Sequence, residues 1–187
     1  MKTTYLSALL AAMGAMTIAT STSANPSEQP QLNFSCQLNE GVPTTVAQSP
    51  ESDTQLPVFH WKKEALASKS TDSPEQLCNI VSEKLENYSS QGYDLSSINF
   101  VGTVLQDEFP VICANADENG DCSKILLTLK PVTEVDPAIV ANDVVDSILD
   151  KNLQPQKSQS RDRGVQSISY QVDFWSLLGL RPKFMSK

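Results

Sequence analysis

Residues 73–88, SPEQLCNIVSEKLENY, decide how the chain is built. Ser73 is an N-cap residue, Pro74 suits the first helical position, and Gln76 completes a capping box. Leu77, Val81, Leu85 and Tyr88 then recur at helical spacing and line one face, until Gly92 ends the run. Cys78 flanks that apolar stripe. A disulfide from it to a strand would fasten helix to sheet, which makes the cysteines the next residues to read.

There are four of them, Cys36, Cys78, Cys113 and Cys122. They lack the close CxxC pairs of a zinc site, and four cysteines admit three pairings. We expect Cys36 with Cys78 and Cys113 with Cys122, all four oxidised. By chain-entropy reasoning the short loop contributes about 2.5–3 kcal/mol and the long one about 4, both upper values.

Oxidation requires export, and the N-terminus reads accordingly. Lys2, the apolar run Tyr5–Ala19 and the small residues before Asn25 form the three regions of a secretory signal, expected over residues 1–24. The run is shorter than the ~20 residues that span a bilayer. Cleavage would leave 163 of the 187 residues, one domain's worth, with 13 basic against 22 acidic side chains. That balance repels phosphate backbones, so no nucleic acid is expected as partner.

On either side of the helix the pattern is that of strands. FSCQ, TTVAQ and PVFHWK precede it, with Asn39-Glu40-Gly41 as a turn; SINFVGTV, FPVICA and KILLTLK follow it. Asp136 and Pro137 then open a second helix, in which Val140, Val144, Ile148 and Leu149 form the buried stripe and Asp143, Asp146 and Asp150 face outward. The expected fold is α+β: a single domain over residues 32–151, mainly an antiparallel sheet of about five to six strands, two helices packed on one face, and two disulfides. Residues 152–187 read as a polar linker, QPQKSQSRDRG, and an apolar and basic tail.

In that tail Phe174, Trp175, Leu177, Leu178 and Leu180 stand beside Arg181 and Lys183. Two readings compete. The cluster docks on a membrane surface or a partner, or it returns to cover the domain, with 167–172 adding an edge strand.

The stretch Cys113–Cys122, CANADENGDC, also has two readings. Counting Asn115 as position one of a calcium loop puts Asp117 at three, Asn119 at five and Gly120 at six, but position twelve is Leu126, where a bidentate Glu belongs. Asn119-Gly120 is a strong turn signal between cysteines. A stapled turn is therefore expected, with weak calcium binding by Asp117, Asn119 and Asp121, helped by Glu118, as the lesser alternative.

Catalysis finds little support. His60 is the sole histidine and lies in a strand, disulfides would consume every thiol, and no nucleophile motif or glycine-rich phosphate loop occurs, so no cofactor is expected. A carboxylate pair of the glycosidase kind would be invisible in sequence, which leaves an extracytoplasmic hydrolase as the alternative. The leading expectation is a non-catalytic exported module, in periplasm or thylakoid lumen, that binds an unknown protein or envelope component.

FSCQ, PTTVA, PVFHW, SPEQLCNIVSEKL, NFVG, FPVIC and the block from Cys122 to LLTLK occur here in one order, from Phe34 to about Asp150. In this the chain resembles the circadian-oscillating polypeptide family of cyanobacteria. The resemblance implies an exported, membrane-associated protein of undefined biochemical activity, named for rhythmic abundance. Leu77 replaces a basic residue expected before the helix cysteine, and Gln106–Glu108 replace an Asn-Gly-like hairpin turn.

Overall fold

The computed structural model describes residues 31–51, 53–93, 95, 98–105, 109–115, 122–162 and 165–180. The signal expected over 1–24 lies outside them.

The chain opens with a three-stranded antiparallel meander, β1 (Asn33–Asn39), β2 (Val42–Gln48) and β3 (Gln55–His60). Glu40 and Gly41 join β1 to β2 with φ of 50° and 81°. Two successive positive φ values give the hairpin turn whose twist matches the strands, and Gly41 takes the second without steric cost. β2 is central and buried on both faces, from Pro43 to Ala47.

A short helix α1 (Lys63–Leu66) leads to α2 (Pro74–Ser90). The capping box forms as the sequence predicts: Gln76 N–H donates to Ser73 Oγ at 3.3 Å and Ser73 N–H to Gln76 Oε1 at 2.8 Å. The buried face carries Leu77, Cys78, Val81 and Leu85 and packs on β1 and β2.

The second sheet contains β4 (Ile98–Val104), β5 (Pro110–Asn115), β6 (Ile125–Thr128), β7 (Lys157–Asp162) and β8 (Val165–Val172), in the antiparallel order β6-β5-β4-β8-β7. Helix α3 (Pro137–Ile148), capped by Asp136, crosses β4, β5 and β8. Its approach to β4 is close at Gly102, where a Cβ would stand 2.7 Å from backbone atoms of Ala141 and Asn142. A 3-10 turn at Lys151–Gln156 enters β7, and α4 (Phe174–Leu177) follows β8.

The fold is therefore α+β with both expected disulfides, Cys36–Cys78 and Cys113–Cys122. Its described strands divide between two sheets, each with its own long helix. One aromatic chain unites them in a single core: Phe34 meets Phe174 at 5.7 Å, Phe174 meets Phe100 at 6.4 Å, Phe100 meets Phe59 at 4.8 Å, and Phe59 meets Trp61 at 5.7 Å. Edge contacts of this kind suit the ring quadrupoles.

Residues after Lys151 continue the fold. The stretch expected as a linker supplies β7 and leads into β8, so the boundary at 151 divides nothing. The polar hairpin escapes a hydrophobic pattern because its pairing is carried by backbone groups. Asp150 likewise departs from expectation: placed outside by helical periodicity, it is only 8% exposed, because the chain leaves helical geometry at Leu149.

Candidate functional site

Two threonines in the middle of β2 organise the most elaborate polar chemistry among the described residues. Their side chains point to opposite faces of the strand, as a pleated backbone requires, and both are buried.

On one face, Thr44 Oγ1 lies 3.3 Å from His60 Nδ1, and His60 Nε2 lies 2.7 Å from Asp150 Oδ2. The Thr44 hydroxyl also donates to the Val42 carbonyl at 3.0 Å. Asp150 is occupied throughout: its Oδ1 accepts from Asn152 N–H at 2.8 Å, its N–H donates to Val58 C=O, and its C=O accepts from Leu153 N–H. Leu149 adds a β-bridge to Phe59. The imidazole thus clips the edge of the first sheet to the exit of α3, which belongs to the second. A hydroxyl, an imidazole and a carboxylate in line resemble a nucleophilic triad, but Thr44 is fully buried and its proton is already committed.

On the other face, Thr45 Oγ1 accepts from Trp61 Nε1 at 2.9 Å and from Ser82 Oγ at 3.1 Å. It also lies 4.0 Å from Cys78 Sγ, the long end of a hydrogen bond to sulfur. Cys78 is buried in α2 and bonded to Cys36, which is half-buried at the wall of an open groove of about 320 Å³ between β1 and α2. A larger cleft of about 680 Å³ lies nearby between the β1–β2 turn, α1 and the start of α2, where Trp61, Lys62, Lys63, Thr71 and Ser73 contribute. At its rim the Glu75 carboxyl is held below the usual range by its own backbone N–H first, then by the Ser73 hydroxyl and the Lys63 charge.

Beyond α2, Lys84 donates to the carbonyls of Ile125 and Leu126 at 3.1 and 2.9 Å, and partial burial lowers its pKa from the ordinary lysine value. Lys124 packs its ammonium on the Tyr93 ring at 4.0 Å and donates to its hydroxyl.

Four stretches, FSCQ, PTTVA, PVFHW and SPEQLCNIVSEKL, meet around β2. The circadian oscillating protein COP23 family model matches residues 33–178. The chain belongs to that family. The match runs past Asp150 to Leu178, so β8 and α4 are part of what defines the COP23 family here. No curated protein and no solved structure matches the chain.

The remaining sequence-derived residues are distributed as follows. Cys113 is buried in β5 and Cys122 half-buried after the loop. Asp117, Glu118, Asn119 and Asp121, the calcium alternative, lie outside the described residues, as do Gln106–Glu108, Arg181 and Lys183. No group of three or more His, Cys, Asp or Glu that could hold a metal occurs among the described residues. Of the tail cluster, Phe174 and Leu178 are buried in the core, Leu180 packs against it, Trp175 is half-buried, and only Leu177 is strongly exposed at 45%. No described helix is long and apolar enough to cross a membrane.

Thr44, Thr45 and Ser82 are not singled out by the sequence, and Asp150 is placed by it on an outward face. The available signal was the pair Thr44-Thr45 in a strand with apolar neighbours on both sides: two adjacent hydroxyls in a doubly covered strand must each find partners.

Proposed function

We propose that this COP23-family chain is an exported, non-catalytic module of the periplasm or thylakoid lumen that binds a protein or envelope component. One observation carries the reading: the only imidazole and all four cysteine sulfurs are consumed inside the fold, by Asp150 and Thr44 in one case and by two disulfides in the other. Disulfides persist where the surroundings are oxidising, and a half-buried side chain engaged at both nitrogens is poorly placed to exchange protons with a substrate. Membrane contact, in this reading, is peripheral and made by Leu177 with the cations that follow it, since Phe174 and Leu178 serve the core.

The test is fractionation of cells that produce the protein, with intact mass and thiol counting on each fraction. A mature chain beginning at Asn25, without free thiols, in an extracytoplasmic fraction is the expected result. A cytoplasmic chain retaining Met1 and reactive thiols would refute export. Flotation with anionic liposomes checks the membrane part: Leu177→Ser and truncation after Leu180 should each reduce partitioning while leaving the fold intact, and unchanged partitioning removes that contact.

A further inference from the structure

We propose that the Cys36–Cys78 disulfide is a reversible redox site, opened from the Cys36 side by an extracytoplasmic dithiol oxidoreductase, with Cys78 leaving into a thiolate receptor formed by Thr45, Trp61 and Ser82. The inference rests on the disulfide in the fold and on the export proposed above, and not on the binding role.

The two sulfurs have unlike surroundings. Cys36 borders the groove between β1 and α2, with Ser35, Asn79 and Asn87 around it, so an incoming thiolate has a path to its sulfur. Cys78 is buried. The Thr45 hydroxyl has two lone pairs and one proton. With the Trp61 N–H and the Ser82 hydroxyl donating to it, the Thr45 hydroxyl can turn its proton toward Cys78 Sγ, 4.0 Å away. A disulfide sulfur is a weak acceptor and needs no such arrangement. A thiolate is a strong one, and a hydroxyl polarised by two donors is suited to receive the charge that develops on a leaving sulfur. Exchange is faster when the leaving thiol is the better stabilised anion.

The balance is that of thiol–disulfide exchange. The partner's thiolate forms a bond to Cys36 Sγ, the Cys36–Cys78 bond breaks, and its electron pair goes to Cys78 Sγ. The partner's second thiolate then attacks its own sulfur in the mixed disulfide and releases Cys36. Two electrons and two protons pass to the chain, and the dithiol leaves as a disulfide. Opening frees β1 from its covalent tie to α2, leaving the bonds from Leu32 N–H to Ser89 Oγ and from Phe34 N–H to Glu86 Oε2 as the remaining fastening on that side. Glu83 and Glu86 line the same groove, so neutral thiols enter more readily than anionic ones.

The experiment uses the intact mature chain in native buffer with 2-mercaptoethanol, a neutral monothiol, followed by an acid quench, unfolding with alkylation, and peptide mass spectrometry. The adduct is expected on Cys36 with Cys78 alkylated. Thr45→Val should slow opening about tenfold, the worth of one hydrogen bond to a charged sulfur, with Thr45→Ser restoring the rate and Cys113–Cys122 opening unaffected. An adduct on Cys78, equal capture at both sulfurs, or a pair that opens only in denaturant would overturn the proposal on the unmutated protein alone. So would Thr45→Val opening as fast as wild type while its near-ultraviolet circular dichroism shows it folded.

Discussion

Asp150→Ala removes the carboxylate that joins the two halves of the core. Three interactions bound its effect. The 2.7 Å bond to His60 is charge-assisted and partly shielded from water, which puts its loss at about 1.5–3 kcal/mol. The bond from Asn152 N–H to Asp150 Oδ1 caps the following 3-10 turn and adds about 1 kcal/mol. The backbone bonds of residue 150 to Val58 and Leu153 survive the substitution. The sum, about 3 kcal/mol, corresponds to a fall in Tm of about 6–12 °C for a chain of this size. Asp150→Asn retains an oxygen for Asn152 and fits the same space, so it should lose about half as much. Thermal and urea unfolding of both variants, and a cycle with His60→Gln, provide the check, since residues in contact should couple by at least about 0.5 kcal/mol. Additive effects in that cycle, or an alanine variant as stable as wild type, would refute the clip as the link between sheets.

Gly102→Ala places a Cβ against the backbone of α3, which cannot yield as a side chain can. Overpacking of about 1–3 kcal/mol should exceed the ~0.4–1 kcal/mol gained from a stiffer unfolded chain, and urea unfolding showing equal or greater stability would contradict the close approach. Ser73→Ala should cost about 1 kcal/mol through the lost capping box, with Ser73→Asp largely restoring it; equal midpoints for all three would count against the cap. Burial lowers the Lys84 pKa in the folded chain, so as pH climbs toward the ordinary lysine value near ~10.4 the unfolded state holds the proton longer and folding gains stability. Relative to Lys84→Met, wild type should therefore become more stable between neutral and alkaline pH in urea titrations at 25 °C, and a difference independent of pH would exclude this linkage.

The elements that sequence revealed are those whose evidence is local. The capping box of α2, the stripe Leu77–Val81–Leu85, the Asp136-Pro137 start of α3 and the turn at Glu40-Gly41 depend on neighbours within a few residues. The pairing of four cysteines was legible because few alternatives existed. What could not be read depends on distance: Asp150 follows the exposed positions of α3 by periodicity, and only the turn at Leu149 swings it toward His60, 90 residues away. Likewise the two sheets divide between β3 and β4, and β8 inserts between β4 and β7, choices that no strand's own pattern encodes.

The way the strands end also bears on how this molecule meets others. An uncovered sheet edge invites pairing with another chain. Along β1, the N–H groups of Leu32 and Phe34 are taken by Ser89 and Glu86 of α2. Along β3, Asp150 N–H occupies the Val58 carbonyl and Leu149 bridges Phe59. At β6, the Lys84 ammonium binds two carbonyls. Three of the four edges of the two sheets are thus met by contacts from helices or their exits. Strand addition at β1, β3 or β6 would first have to displace bonds that the fold already makes.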